Sequence, residues 1–486
     1  MTIKRGTEEN AKPIAYEEVA ARHVKQPKRR ALDFGYLHKR SKITASYKNK
    51  KIQRISIVRQ KTGRRKTGWM YWAVAAVLSI IFICSIFTGT KLYSVLILLK
   101  SIKNENILVG FQNSAELRPT GGFWGSFAYL KVGKNISNST LSFETNPYKK
   151  DNPLLKETNA SLPTPMKETW IDRPQSFVNA NWPFDFPTAA KTIEWYFGQG
   201  WQLDTDAVVG ISSLAVIDAL KLTGPVTLGN GETITSENFT QVMSEKIDVE
   251  YWQDPKNIQI NEPKMVILDI APQIIDKVKS LPRYQLYRLI TEQLEQGRIV
   301  AYFNDPKKQS LAEKIGISGI SAPYRADYVS INNANLNGNK TSLNVAQSIR
   351  YSVDVNGDKV LSHLEITRNH LGGLWPEAPN RNYTRAIVPV GSKLVSASLE
   401  GKNITEQIET NEELDKTTFG FWFSTSAGEA KTANLVYELP IKREQLSSYQ
   451  ILLQKQPGTL SDYVDIKVLG ETLYSGENDK SVLKLP

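Results

Sequence analysis

Residues 69–87 read WMYWAVAAVLSIIFICSIF, nineteen positions with no charge, proline or glycine. As a helix rising ~1.5 Å per residue the run spans roughly 28 Å, the thickness of a bilayer's hydrocarbon core. Inside lipid only a helix satisfies these backbone groups, so the sequence predicts a transmembrane helix over 69–90. Lys61, Arg64, Arg65 and Lys66 precede it, and Trp69, Tyr71 and Trp72 stand where interfacial aromatics belong. Positive charge on that side places the N-terminus in the cytoplasm and everything from Thr88 outside. A cleaved signal peptide fits less well, because 68 residues precede the run and no small-x-small site follows Phe87.

The predicted span divides the charge. Of 61 Lys and Arg and 49 Asp and Glu, residues 1–68 hold 20 and 5, an excess of 15 basic groups. The remainder holds 41 and 44, a net of −3. The overall charge of +12 therefore belongs to the tail. A basic tail beside a membrane meets anionic headgroups first, and nothing here implies nucleic acid as a partner of the main body. Interleaved basic and polar residues such as KQPKRR give residues 1–68 no means of burying a core, so a disordered cytoplasmic tail is expected. Cys84, the only cysteine, lies within the span, so no disulfide framework within the chain supports the outer part.

Beyond the span, strand and helix patterns alternate. A helical stub over Lys91–Lys103 precedes a strand at Asn106–Phe111, with further strands near Gly125–Val132 and Thr140–Glu144. Phe186-Pro-Thr opens a helix that Gly198 and Gly200 are expected to stop. Ser212 is placed to cap the next helix and Asp305-Pro306 to open a later one. Alternation of this kind implies an α/β domain over 91–340. From Thr341 only strand patterns remain. Val345–Val355 and Lys359–Asn369 flank Asn356-Gly357, a type I′ hairpin signal. The expected architecture is a single-pass membrane protein with a mixed-sheet α/β extracytoplasmic domain, followed by an all-β sandwich over 341–486.

The histidines limit the chemistry. His23, His38, His363 and His370 all fall outside 91–340, as does Cys84. The α/β domain therefore lacks the residues for a Ser-His-Asp triad, a Cys-His pair or a His/Cys zinc site. Three stretches remain. Arg118-Pro-Thr120-Gly121-Gly122-Phe-Trp124-Gly125-Ser126 sets a guanidinium beside a Gly-Gly turn, which suits phosphate or carboxylate. Its spacing is not that of a P-loop, and the competing reading pairs Arg118 with Glu116 or another acid and gives the glycines to a tight connection. Asp204 and Asp206, at i and i+2, point to one side of an extended chain and suit Mg²⁺, unless they belong to a solvated turn. Trp170, Trp182, Trp195 and Trp201 fall within 32 residues and suit sugar rings or isoprenoid chains, unless they pack a core. Asp354-x-Asn356-x-Asp358 with Glu365 imitates a calcium loop, but its glycine stands at the wrong place and its flanks are strands.

At these residues the chain resembles the bacterial domain-of-unknown-function 4012 family. The likeness rests on Gln112–Ser126 (QNSAELRPTGGFWGS), Asp204–Ile211 with Leu222-Thr-Gly-Pro-Val, Asn335-Leu-Asn-Gly-Asn-Lys, Val388-Pro-Val-Gly-Ser and Gln454-Lys-Gln-Pro-Gly. It covers about 106–460 and implies one N-terminal span with the rest outside the membrane; the link between span and first motif is shorter here than in many relatives. Residues 204–228 are also similar to a segment of the LytR-CpsA-Psr phosphotransferases. That resemblance implies transfer of a glycopolymer from polyprenyl pyrophosphate, with arginines on the pyrophosphate and an acid-bound Mg²⁺; only Arg118, Asp204 and Asp206 match its basic and acidic set. The expected function is a membrane-anchored cell-envelope protein that binds, and in one reading transfers, a lipid-linked or wall glycopolymer gripped by Arg118, Thr120, Gly121, Gly122, Trp124 and Ser126. The alternative is a non-catalytic scaffold that binds another envelope protein.

Overall fold

Leu108 faces one way and Ile107 and Val109 the other, and this alternation sets the first layer of the fold. In the computed structural model the described residues are 94, 97–98, 100–134, 138–151, 162–169 and 175–486, except 325, 337 and 374. The basic tail, the 69–87 run and Trp170 lie outside them, and the stub is described only in part. Among the described residues no helix is long and apolar enough to cross a membrane.

The first half is a mixed sheet. Its strands are β1 (Asn106–Asn113), β2 (Phe123–Lys131), β3 (Thr140–Glu144), β4 (Ala207–Ser212) and β7 (Ile299–Phe303). They lie in the order β3-β2-β1-β4-β7, with β1 and β4 parallel and the other pairs antiparallel. A small separate hairpin is formed by β5 (Val226–Thr227) and β6 (Thr233–Ile234). The Phe186–Trp201 helix covers one sheet face through Ala190, Ile193 and Phe197. Asp185 caps its start, accepting from the Thr188 amide at 2.9 Å. It ends at left-handed Gln202 (φ 54°), so Gly198 and Gly200 ride inside its last turn and do not stop it. Leu98, Ile102 and the Pro306–Ile315 helix cover the other face. Ser212 and Asp305 cap their helices as expected.

The second half is a two-sheet sandwich. Its strands are β8 (Asp327–Asn335), β9 (Val345–Asn356), β10 (Lys359–His370), β11 (Asn382–Pro389), β12 (Lys393–Leu399), β13 (Lys402–Asn403) and β14 (Glu409–Glu413). There follow β15 (Lys416–Trp422), β16 (Ala430–Glu438), β17 (Ile451–Gln454), β18 (Asp462–Val468), β19 (Glu471–Asn478) and β20 (Val482–Leu485). One sheet runs β13-β12-β16-β10-β9-β18-β19, the other β14-β15-β11-β8-β17-β20. Ile349, Tyr351, Leu364 and Ile366 of the first pack against Ile331, Val388, Phe419 and Leu453 of the second. The β9–β10 hairpin turns on Gly357-Asp358, with positive φ at Gly357 and not at Asp358. That is the glycine-first pattern of a type II′ turn in place of the expected I′, and the imitation calcium loop is this hairpin.

The two halves meet where the sequence suggested none of it. β8 lies before residue 340, yet it pairs with β11 and β17 inside the sandwich. Its outer face is covered by Leu162, Met166, Phe184 and Tyr324 from the first half. Every residue of β8 and β11 is consequently buried, and the described residues belong to one compact unit.

Candidate functional site

Gln112–Ser126, Asn335–Lys340 and Gln454–Gly458 are far apart in sequence and converge on one joint between the halves. At its centre the Arg118 side chain is 0% exposed. Its Nη2 donates to Glu116 Oε1 at 3.0 Å, and its Nη1 to the carbonyls of Leu117, at 3.1 Å, and Asn335. The guanidinium also lies 5.3 Å from the centre of the Phe123 ring. Burial lowers the Arg118 pKa and the Glu116 carboxylate opposes that shift. From the sandwich, Gln456 Nε2 donates to the carbonyls of Arg118 (3.0 Å) and Asn333 (2.8 Å), while its Oε1 accepts from the Asn333 amide. Asn332 Nδ2 donates to Pro119 O at 3.0 Å.

The glycines are placed by this approach. Gly121 and Gly122 take φ of 128° and 151°. A Cβ on Gly122 would lie 2.5 Å from the Asn113 backbone, and one on Gly458 2.1 Å from Gly121 O. The Gly121 amide donates back to Arg118 O at 2.9 Å, so the turn closes on itself. Thr120 Oγ1 accepts from Gln112 and Asn181. Trp124 is wholly buried, its ring lying across Gly110, and Ser126 is a buried residue of β2 paired with Phe111. The groups expected to grip a phosphate are thus found at the joint. These groups are spent on the joint because they sit between two cores, with the guanidinium shut away from solvent. Lys264, which sequence reasoning missed, reaches the same motif: its Nζ donates to Gly125 O and stands 5.8 Å from the Phe123 ring. Burial, with Lys340 nearby, lowers its pKa to about 8.

The aspartate pair is elsewhere. Asp206 Oδ2 accepts from the Asn106 amide at 2.8 Å, and the Asp206 amide donates to Asn106 O at 2.7 Å. Asp206 therefore straps the start of β4 to the start of β1. Asp204 offers its carbonyl to Tyr129 Oη at 2.7 Å. Glu194 stands close by, held by Thr205 and Asn304, and burial raises its pKa. Among the described residues no three His, Cys, Asp or Glu are grouped to hold a metal ion. Asp206 is bonded at Asn106 and the Gly-Gly turn adjoins Asn113, at opposite ends of β1. At ~3.3 Å per residue they stand roughly 23 Å apart. A phosphate at Arg118 and a metal at Asp206 would not meet.

The tryptophans disperse as well. Trp201 packs into the sheet core, stacked on Phe197 at 5.4 Å, and Trp195 is half exposed beside Tyr196. Trp182 instead walls a cleft of about 370 Å³ over the six-stranded sheet. The floor holds Tyr383 and Arg385 of β11, with edge strand β14 on the far side. Arg385 lies 4.7 Å from the Trp182 ring centre and donates from Nη2 to Trp182 O and Asn332 Oδ1 at 2.9 and 3.1 Å. Its Nη1 reaches Glu413 Oε1 at 3.4 Å. Tyr383 Oη donates to Glu409 Oε2 at 2.6 Å, and burial together with that bond raises the Tyr383 pKa. The NYTRA and ETNEE runs carrying these groups read as ordinary strand and loop, so no sequence signal marked them.

Residues 103–247 match a family model described as a protein of unknown function, DUF4012. The resemblance to LytR-CpsA-Psr phosphotransferases gains no support from the comparisons, and no curated protein matches significantly. Among solved structures, a protein provisionally named nutrient binding from Legionella pneumophila is similar at 6% identity and TM-score 0.20, covering 29% of this chain and 54% of that one. An M1 zinc metallopeptidase from Deinococcus radiodurans is similar at 12% identity and TM-score 0.15, covering 26% and 32%. The chain spans about half or less of these structures, and likeness at this level carries no argument.

Proposed function

Starting from a DUF4012 segment whose family has no assigned activity, we propose that the chain is a single-pass envelope protein whose outer part acts by binding and not by catalysis. The 69–87 run supplies the anchor, the basic tail faces anionic headgroups, and the two packed halves stand outside the membrane as one body. The observation that carries the non-catalytic reading is the fate of Arg118 and Asp206. Each is committed to a structural bond, and the sheet holds them at opposite ends of β1. A transferase working on a pyrophosphate would need both on one substrate.

Topology is tested by cysteine labelling in intact cells. With Cys84→Ser as background, a Glu471→Cys variant at the exposed start of β19 is expected to react with a membrane-impermeant maleimide before lysis. A Ser46→Cys variant in the tail is expected to react only after lysis. The reverse pattern would overturn the reading.

A further inference from the structure

We propose that the cleft between Trp182 and edge strand β14 is a saccharide site, and that the sugar chain it takes carries no phosphate. The proposal extends the binding role above and rests on it for one point only, that the cleft faces the compartment where wall glycans are met. Its volume, about 370 Å³, is within the range of small-ligand sites.

The cleft is built for hydroxyl groups. Residues i, i+2 and i+4 of a strand share a face, so Glu409, Asn411 and Glu413 form one wall of planar hydrogen-bonding groups. A carboxylate has about four acceptor positions. Glu409 gives one to Tyr383 Oη and one to Asn411 Nδ2, and Glu413 gives one to Arg385, which fixes the side chains and leaves acceptors for ligand hydroxyls. Gly420 makes the floor possible, since a Cβ there would lie 2.2 Å from Tyr383 Oη. Trp182 and Tyr383, with ring centres 6.2 Å apart, add apolar surface for the C–H faces of a sugar ring.

Charge settles the class. Glu409, Glu412 and Glu413 outnumber Arg385, for a net of −2 among the lining residues. Arg385 is already held by Glu413, Asn332 and Trp182 O. Among the described residues that line the cleft, a phosphate would meet carboxylates with no free cation to compensate, whereas neutral or amine-bearing sugars meet no repulsion. An extended peptide pairing with the β14 edge is the competing occupant, and a strand edge crowded with carboxylates disfavours such pairing.

The test uses the full-length chain in a zwitterionic detergent without a sugar headgroup, applied to an array of neutral, amine-bearing and phosphorylated oligosaccharides. The strongest hit is then titrated calorimetrically. Neutral or amine-bearing hits are expected, with affinity falling at least tenfold in an Asn411→Ala/Glu412→Ala double variant. Both positions are exposed, so the fold is spared. An array without hits, hits confined to phosphorylated sugars, or an undiminished affinity in the double variant would each overturn the site. None of these results depends on the cysteine-labelling pattern, so topology and site fail separately.

Discussion

Arg118 shows how one side chain serves recognition inside the protein itself. Its fork spans Glu116 and the Asn335 carbonyl, so it ties the first sheet to β8 of the second. Removing one partner of a buried ion pair leaves the other charge uncompensated, typically at about 3–5 kcal/mol. Arg118→Ala is therefore expected to lose stability on that order in urea unfolding. Arg118→Lys is expected to recover little, since an ammonium cannot reproduce the fork. Retained stability in both variants would return the residue to a ligand-binding role. The competing pairing with Glu116 was legible in the sequence. The distant partners, Asn335 and Gln456, were not, because a contact across more than two hundred residues leaves no local pattern.

β8 is the central strand among those that sequence reading missed. DYVSINNAN has no alternation and three asparagines, residues disfavoured in strands. Both of its faces are covered, one by the sandwich core and the other by the first half, so no polar face shows. Its amides are spent on Pro119, Gln347 and Asn339. By contrast β9 and β10 alternate along most of their length, and the sequence placed both of them. At the start of β8, Asp327 is buried and accepts from the Tyr351 and Tyr449 hydroxyls and the Tyr328 amide. Those bonds favour the carboxylate, yet burial outweighs them and pushes its pKa up to about 6. A carboxyl whose folded pKa exceeds its unfolded value near 3.8 binds more protons in the native state between those limits. Its contribution to stability is then present below about pH 4 and lost as pH rises through 6. The same sign holds for Asp462, also pushed up to about 6 by burial. Denaturant midpoints at pH 4.5 and 6.5 are expected to differ less in Asp327→Asn than in the unaltered protein. An unchanged difference would contradict the burial argument.

At the scale of the whole molecule, the sequence separated an α/β half from a β half and implied two domains in series. The structure makes them one body, because the Gly-Gly turn and the Gln454–Gly458 turn press together too closely for any side chain at Gly458. Fold class was legible because periodicity is a local property, and the joint was not because it is a meeting of turns. The candidate site divides in the same way: the motif residues were visible as a motif but their burial in the joint was not, while the cleft residues carried no motif. If this motif welds the halves, calorimetric unfolding of Gly458→Val beside the unaltered chain will reveal it. One cooperative transition is expected for the two packed halves, resolved into two by the substitution as they separate. Two transitions in the unaltered protein, or a single unshifted one in Gly458→Val, would contradict it.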